Sequence, residues 1–418
     1  MTIDDLTPRT QRIQRTQRKS GVFLCVLCNL CVLCGGLKSA AQEPAGPQPV
    51  SAAQLQAAIS KLGDLDYATR TTASRIVRRT ASAQAVPALL QAVAEQADGF
   101  VRYRSLVLLT GFNDPRMNDS MRESLVSPND RLRAVAYSFF EHPPDRSMVP
   151  QFLTALDKEQ GEFVRPALVR ATAALTALGQ GDDITRVRQA LLREVTRGED
   201  FFRSAVIEAL GDYKAAFAFD ALVAVAKLEG PLQDDAALAL GKIGDKRALE
   251  TLAAIQRTAP RRTQPSIATA ICLLDVNCGS HEGYLVEALK FSSKSPGFQE
   301  LLRAAAGGLG TLAVAGHAEA AQALIEIGGP SREDLTRAPV ALALATVALR
   351  NTPLIMTILE KQNNRDDAIS LLADGFDMLE EDLDKERFFA FTRRTYWESP
   401  EHAPRRALMQ TLIGKLDF

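Results

Sequence analysis

An arginine returns along this chain at nearly fixed intervals. Arg70, Arg102, Arg133 and Arg165 are separated by 32, 31 and 32 residues, and Arg203 follows 38 later. Each stands shortly after an acidic or turn residue and just ahead of an apolar helical run, as in "DGFVRYRSLVLL", "NDRLRAVAYSFF" and "GEDFFRSAVIEAL". A period of 20 to 50 residues is the mark of a solenoid, because one such unit cannot bury its apolar face alone and must stack on its neighbours. The pattern inside each period is helix, short turn, helix. Asp, Asn, Ser or Pro precedes apolar residues spaced i, i+3 and i+4, and alternating β-branched runs bounded by hairpin turns are missing. The expected fold is all-α, an α-solenoid of about nine or ten antiparallel helix pairs.

Composition agrees with such a fold. Of 418 residues, 46% are apolar but only 6% aromatic, and the Ala, Leu and Val that dominate suit closely packed helices. The formal net charge of -1 supplies no basic field for nucleic acid.

The first forty-one residues form a separate object. Arg9, Arg12, Arg15, Arg18 and Lys19 precede the apolar run "GVFLCVLCNLCVLC" at 21–34, and Ser39 and Ala41 are small residues at the -3 and -1 positions of a cleavage before Gln42. This is the build of a secretory signal. The run is short for a membrane span, which needs roughly 20 apolar residues. Removal before Gln42 is expected, with retention as an inner-membrane anchor as the alternative. The remaining chain carries 43 basic and 48 acidic residues. A mildly acidic exported protein suits neither nucleic acid nor anionic lipid, so contact with a membrane is expected only if the leader is retained. Cys25, Cys28, Cys31 and Cys34 lie within the leader and read as small hydrophobes. Residues 42–50 are a Pro-rich linker, 51–350 the repeat array, and 351–418 divergent repeats or a helical cap.

Within the array, "DDAALALGKIGDKRALETLAAI", Asp234 to Ile255, resembles the short bacterial HEAT repeat, with an Ala/Leu-rich inner helix, a Leu-Gly-x-Ile-Gly-Asp corner and the opening of the next outer helix. "SAVIEALGDYKAAFAFDALVAV", Ser204 to Val225, follows it more loosely. The likeness extends weakly over about residues 52–350, with a period shorter than the longer eukaryotic HEAT unit and closer to that of the HEAT-like repeats of phycobilisome lyase subunits. It implies that the recurring arginines form a ladder between units, pairing Asp66 with Arg102, Asp98 with Arg133 and Asp130 with Arg165. Asp235 takes the slot after Arg203, so the ladder is expected to change there. A second reading places Arg70, Arg102, Arg133, Arg165 and Arg203 along the concave face as a binding row for acidic groups, with Phe100, Phe163, Phe201 and Phe202 nearby.

Chemistry beyond this is sparse. His142, His281, His317 and His402 stand at no metal-ligand spacing, and neither a nucleophile elbow nor a phosphate loop is present. "GGLGTLA" at 307–313 lies in a helical run and reads as helix packing. No cofactor and no enzymatic activity are expected. Cys272 and Cys278 are the two cysteines outside the leader, and both a disulfide and a pair of buried thiols remain open. Asp377 to Lys385 reads as the solvated polar end of the cap, and Phe388, Phe389, Phe391, Tyr396 and Trp397 as its core or as an exposed anchor. The function expected is an exported, periplasmic or secreted scaffold that binds a protein or peptide through its concave inner-helix surface. The alternatives are a lyase-like subunit and a membrane-anchored module of an envelope complex.

Overall fold

The computed structural model describes residues 49–418 apart from residues 364 and 417. The leader and its four cysteines lie outside the described residues. From Ala52 onward the chain is built of α-helices joined by short turns, three of them 3-10. Ten inner helices stack in order: Tyr67–Arg79, Gly99–Thr110, Asp130–Phe140, Val164–Ala174, Asp200–Asp212, Gln233–Ile243, Gln264–Leu273, Gln299–Val314, Asp334–Arg350 and Arg365–Met378. Each packs against an outer helix that precedes it. Ten pairs agree with the expected array.

Local chemistry sets the helix starts. Asp66, Asp98 and Asn129 accept hydrogen bonds from the first free backbone N–H groups of their helices, which offsets donors that have no partner within the helix. The acids that the ladder reading assigned to a neighbouring repeat are therefore, in two of three cases, N-caps of their own.

Glycine governs how closely the inner helices approach. A Cβ on Gly241 would lie 2.5 Å from Ala270 Cα, and one on Gly211 would lie 2.7 Å from Ala239 Cα. Both contacts join consecutive inner helices, so these glycines serve contact between backbones. The left-handed corner falls instead on Gly244, whose φ is 83°. Gly308 and Gly310 of "GGLGTLA" lie inside a helix, against Thr269 and Ala343.

The apolar interior divides into two clusters. One runs from Leu55 to Leu274 and the other from Ala268 to Phe418. Leu383 is an exception, since it comes from the C-terminal region yet sits in the first cluster. Its helix, Asp382–Glu398, leaves the ladder and packs on the inner helices Gly99–Thr110, Asp130–Phe140 and Asp334–Arg350. The last helix, Pro404–Lys415, returns to the end of the array. Within 351–418, Thr352–Lys361 and Arg365–Met378 thus continue the array as its tenth pair, and the helix Asp382–Glu398 that follows is not a solvated end. It crosses to the N-terminal repeats.

Candidate functional site

The recurring arginines point back within their own repeats. Arg102 Nε donates to Val93 O at 2.7 Å, Arg165 Nη1 to Leu156 O and Glu159 O at 2.9 Å each, and Arg203 Nε to Val195 O at 3.0 Å. Arg133 Nη1 donates to Ser127 O and Arg70 Nη1 to Asp64 O. The last carbonyls of a helix have no partner within it and carry the negative end of its dipole. A cation in the first turn of the next helix meets both needs. None of the five arginines is exposed, so they do not form a free row on the concave face.

The expected ladder pairs are not made. Arg133 bonds Glu159 Oε2 at 2.9 Å and its own neighbour Asp130, and Arg165 bonds Glu194, whose side chain is 1% exposed. Glu159 ends, and Glu194 lies in, the outer helix of the following pair, so these two arginines do join neighbouring units, through acids other than those expected. Further contacts between units come from other residues. Asn129 Nδ2 donates to Gly99 O, and Ser204 Oγ to Asp235 Oδ2. The capping role also outlasts the arginines. Gln233, Gln264, Arg337 and Arg365 reach the carbonyls of the outer helices before them. Gln233, not Asp235, continues the row after Arg203.

The helix Asp382–Glu398 brings a second set of residues together. Arg78 Nε meets Glu386 Oε2 at 2.8 Å with side chains 6% and 1% exposed, and Arg104 Nη1 meets Asp382 Oδ2 at 2.8 Å. Tyr103 also donates to Asp382. Burial pushes the Asp382 carboxyl up, but Arg104, Lys385 and the Tyr103 hydroxyl outweigh it and hold the group well below the usual carboxylate range. Arg79 donates to the carbonyl of Phe418, and Tyr67 to Asp377. Of the stretch Asp377 to Lys385, expected to face solvent, Asp382 instead meets the first repeats through Tyr103 and Arg104 and Asp377 through Tyr67, while Glu380 stays exposed.

Beside this seam the C-terminal ends of several inner helices converge. Glu141 accepts from Arg170 and from the Tyr213 hydroxyl, Asp212 accepts from Arg170 and Lys242, and Arg350 bridges Glu381 and Asp384 at 2.7 Å each. His142 lies close by. Burial and then the Arg387 guanidinium lower its pKa, against the pull of Asp384 and Glu141. The charges in this network answer one another, which suits holding helices in place. A cavity of about 810 Å³ opens along the seam, lined by Met117, Phe139, His142, Phe388, Phe391 and Arg394 among others. The C-terminal aromatics divide between roles. Phe388 and Tyr396 are buried, whereas Phe391 and Trp397 are 39% and 43% exposed.

A different surface survives at the starts of the inner helices. Phe163 and Phe201 are 51% and 57% exposed. The Arg131 guanidinium lies 5.8 Å from the Phe100 ring, 5.5 Å from Tyr103 and 5.8 Å from Phe163. Large aromatic faces interleaved with a cation, next to helix N-termini, offer apolar contact and positive potential together. Cys272 and Cys278 are joined in a disulfide, with Cα atoms 4.1 Å apart.

No protein-family model and no curated protein matches this chain. Among solved structures, the chain is similar to the complex of CpcE and CpcF of phycocyanin lyase from Nostoc sp. PCC7120. That match has 19% identity and a TM-score of 0.39, over 63% of this chain and 94% of that one. YibA of E. coli gives 18% identity and 0.38, over 54% and 82%. Kap95p, solved with RanGDP, gives 12% and 0.42, over 88% and 56%. The architecture rests on the chain's own helices: it is an all-α solenoid of stacked antiparallel pairs, HEAT-like in design, closed by the helix Asp382–Glu398.

Proposed function

We propose that this chain is an exported scaffold that binds a protein or peptide segment in the cell envelope. Recognition runs along the row formed by Phe100, Arg131, Phe163 and Phe201 at the starts of the inner helices. The observation that carries this reading is the exposure of Phe163 and Phe201 at the starts of successive inner helices, with Arg131 held among aromatic rings. Aromatic and arginine side chains supply most binding energy in protein interfaces, and the N-terminal ends of helices favour carboxylates. The partner suited to this row is an extended segment that alternates apolar and acidic residues. The interior of the array is less available, because Asp382–Glu398 packs there. Export follows from the basic and apolar composition of the leader.

The test uses a photo-crosslinking residue at position 201 and, as control, at position 154 on an outer helix, both exposed. A partner captured from envelope extract at 201 and not at 154 is then purified, and its affinity measured against Phe163→Ala/Phe201→Ala. A loss of about 2 kcal/mol or more, some thirtyfold in Kd, is expected. Equal capture at both positions, or unchanged affinity, overturns the assignment. Periplasmic fractionation tests the location separately.

A further inference from the structure

We propose that Cys272, Cys278, Glu282 and His317, once the disulfide is reduced, form a binding site for one zinc-class divalent cation at the junction of the two halves of the solenoid. The residues are scattered in sequence but share one place. Cys272 lies at the end of Gln264–Leu273, Cys278 opens Cys278–Ser292, and Glu282 is one turn further along the same helix face. His317 is the residue that begins Ala318–Gly328. Candidate ligand atoms of both cysteines and the histidine lie within 4.8 Å of one another.

The distances suit a metal. Zinc binds thiolate sulfur at about 2.3 Å and imidazole or carboxylate at about 2.0–2.2 Å, in a tetrahedron whose edges are then roughly 3.3–3.8 Å. Cys278 Sγ lies 3.9 Å from His317 Nδ1, and that same nitrogen lies 3.4 Å from Glu282 Oε2. Glu282 Oε1 is buried without a hydrogen-bond partner among the described residues. A buried carboxylate oxygen of this kind calls for an explanation, and a cation supplies one. The Glu282 and His317 side chains retain 15% and 31% exposure, which leaves a route for entry.

The backbone is committed to this arrangement. Asp275 and Asn277, in the loop between the cysteines, hold φ of 56° and 47°. Asp and Asn are the non-glycine residues that adopt this left-handed region most readily, so the sequence itself supports the turn between the two cysteines. The site also sits where the two apolar clusters meet. Ile271 and Leu274 belong to the first, while Cys272 and Leu285 belong to the second.

Disulfide and metal exclude each other. A dithiol reductant gives two electrons and two protons to the Cys272–Cys278 bond and closes to its own disulfide. The two thiols then release their protons as the cation binds.

The experiment uses the full chain with Cys25, Cys28, Cys31 and Cys34 replaced by Ser, so that leader thiols do not contribute. The protein is reduced with a phosphine and titrated with Co²⁺, whose spectrum reports both thiolate ligation and four-coordination. One equivalent is expected, with a sulfur-to-cobalt charge-transfer band that Zn²⁺ abolishes. His317→Ala and Cys278→Ser should each weaken binding at least tenfold, on the order of what metal-site substitutions cost. The milder Glu282→Gln should shift the visible bands. The unreduced protein should show none. Absence of a saturable band in the reduced protein overturns the proposal without reference to any variant. So does a band that His317→Ala and Glu282→Gln both leave unchanged.

Discussion

Arg78 and Glu386 are 308 residues apart, yet they share a 2.8 Å ion pair with almost no exposure. The substitution Arg78→Ala leaves the Glu386 carboxylate in place. Its nearest remaining cation is Arg393, whose Nη2 is 3.8 Å from Oε1, and that oxygen already lacks a hydrogen bond. Breaking a buried pair from one side costs about 3–5 kcal/mol, because the remaining charge is stranded without water. Arg78 also covers the Phe389 ring at 5.0 Å, so lost packing adds to this. The expected loss is therefore near the upper part of that range. The double substitution Arg78→Met/Glu386→Leu removes both charges and keeps volume, and should recover most of the stability. Urea unfolding followed by far-UV circular dichroism measures all three proteins. Two results would refute the reasoning: Arg78→Ala within about 0.5 kcal/mol of the parent, the range of a neutral surface change, or a double variant no better than the single one.

Three further outcomes are expected. Gly241→Val should destabilise the array by several kcal/mol, since overpacking alone costs about 1–3 kcal/mol and here the obstacle is the Ala270 backbone; calorimetry within about 0.5 kcal/mol of the parent would contradict the close approach. Arg133→Ala should lower stability by about 1–3 kcal/mol, and double-mutant cycles should find coupling of Arg133 with Glu159 and essentially none with Asp98. Acid should loosen the seam. His142 and Asp382 both have folded pKa values below their unfolded ones, so the unfolded chain binds more protons and stability falls with pH. The His142 contribution fades below about pH 6.5, the unfolded value, and that of Asp382 below about pH 3.9 as pH drops through its depressed folded value. His142→Asn should therefore flatten the dependence of the urea midpoint between pH 7 and 5. An unaltered slope would show that His142 does not titrate as described.

The array was legible because its signals are local. Arg102, Arg133 and Arg165 mark the period, and caps such as Asp98 and Asn129 act on the very next turn of chain. The purpose of the arginines was not legible from their period alone. Arg102 and Arg165 each reach the carbonyl nine residues earlier, and the same interval joins Arg337 to Gly328. That short spacing, more than the 32-residue one, carries the chemistry. Tracking arginine also concealed Gln233 and Gln264, which supply the same donor without charge. The seam left no trace of any period. Asp382, inside the stretch expected to be a solvated acidic face, and Glu386, just beyond it, are met by Arg104 and Arg78 only once the array has folded. The Cys272, Cys278 and His317 cluster was hidden for the same reason, since His317 is 39 residues from Cys278.

Closure is tested most directly by a distance between the two ends. Spin labels at positions 65 and 378, both exposed, would flank the contact of Tyr67 with Asp377. The leader cysteines are replaced by serine, and Cys272 and Cys278 are left joined. Ten inner helices set in a straight row would hold their first and last members about 70–90 Å apart, nine interaxial steps of roughly 8–10 Å. The closed array predicts a single short distance, as near as the label linkers allow, that lengthens when Arg78 and Arg104 are both changed to Ala. A distance in the range of the straight row in the unaltered protein would contradict the closure.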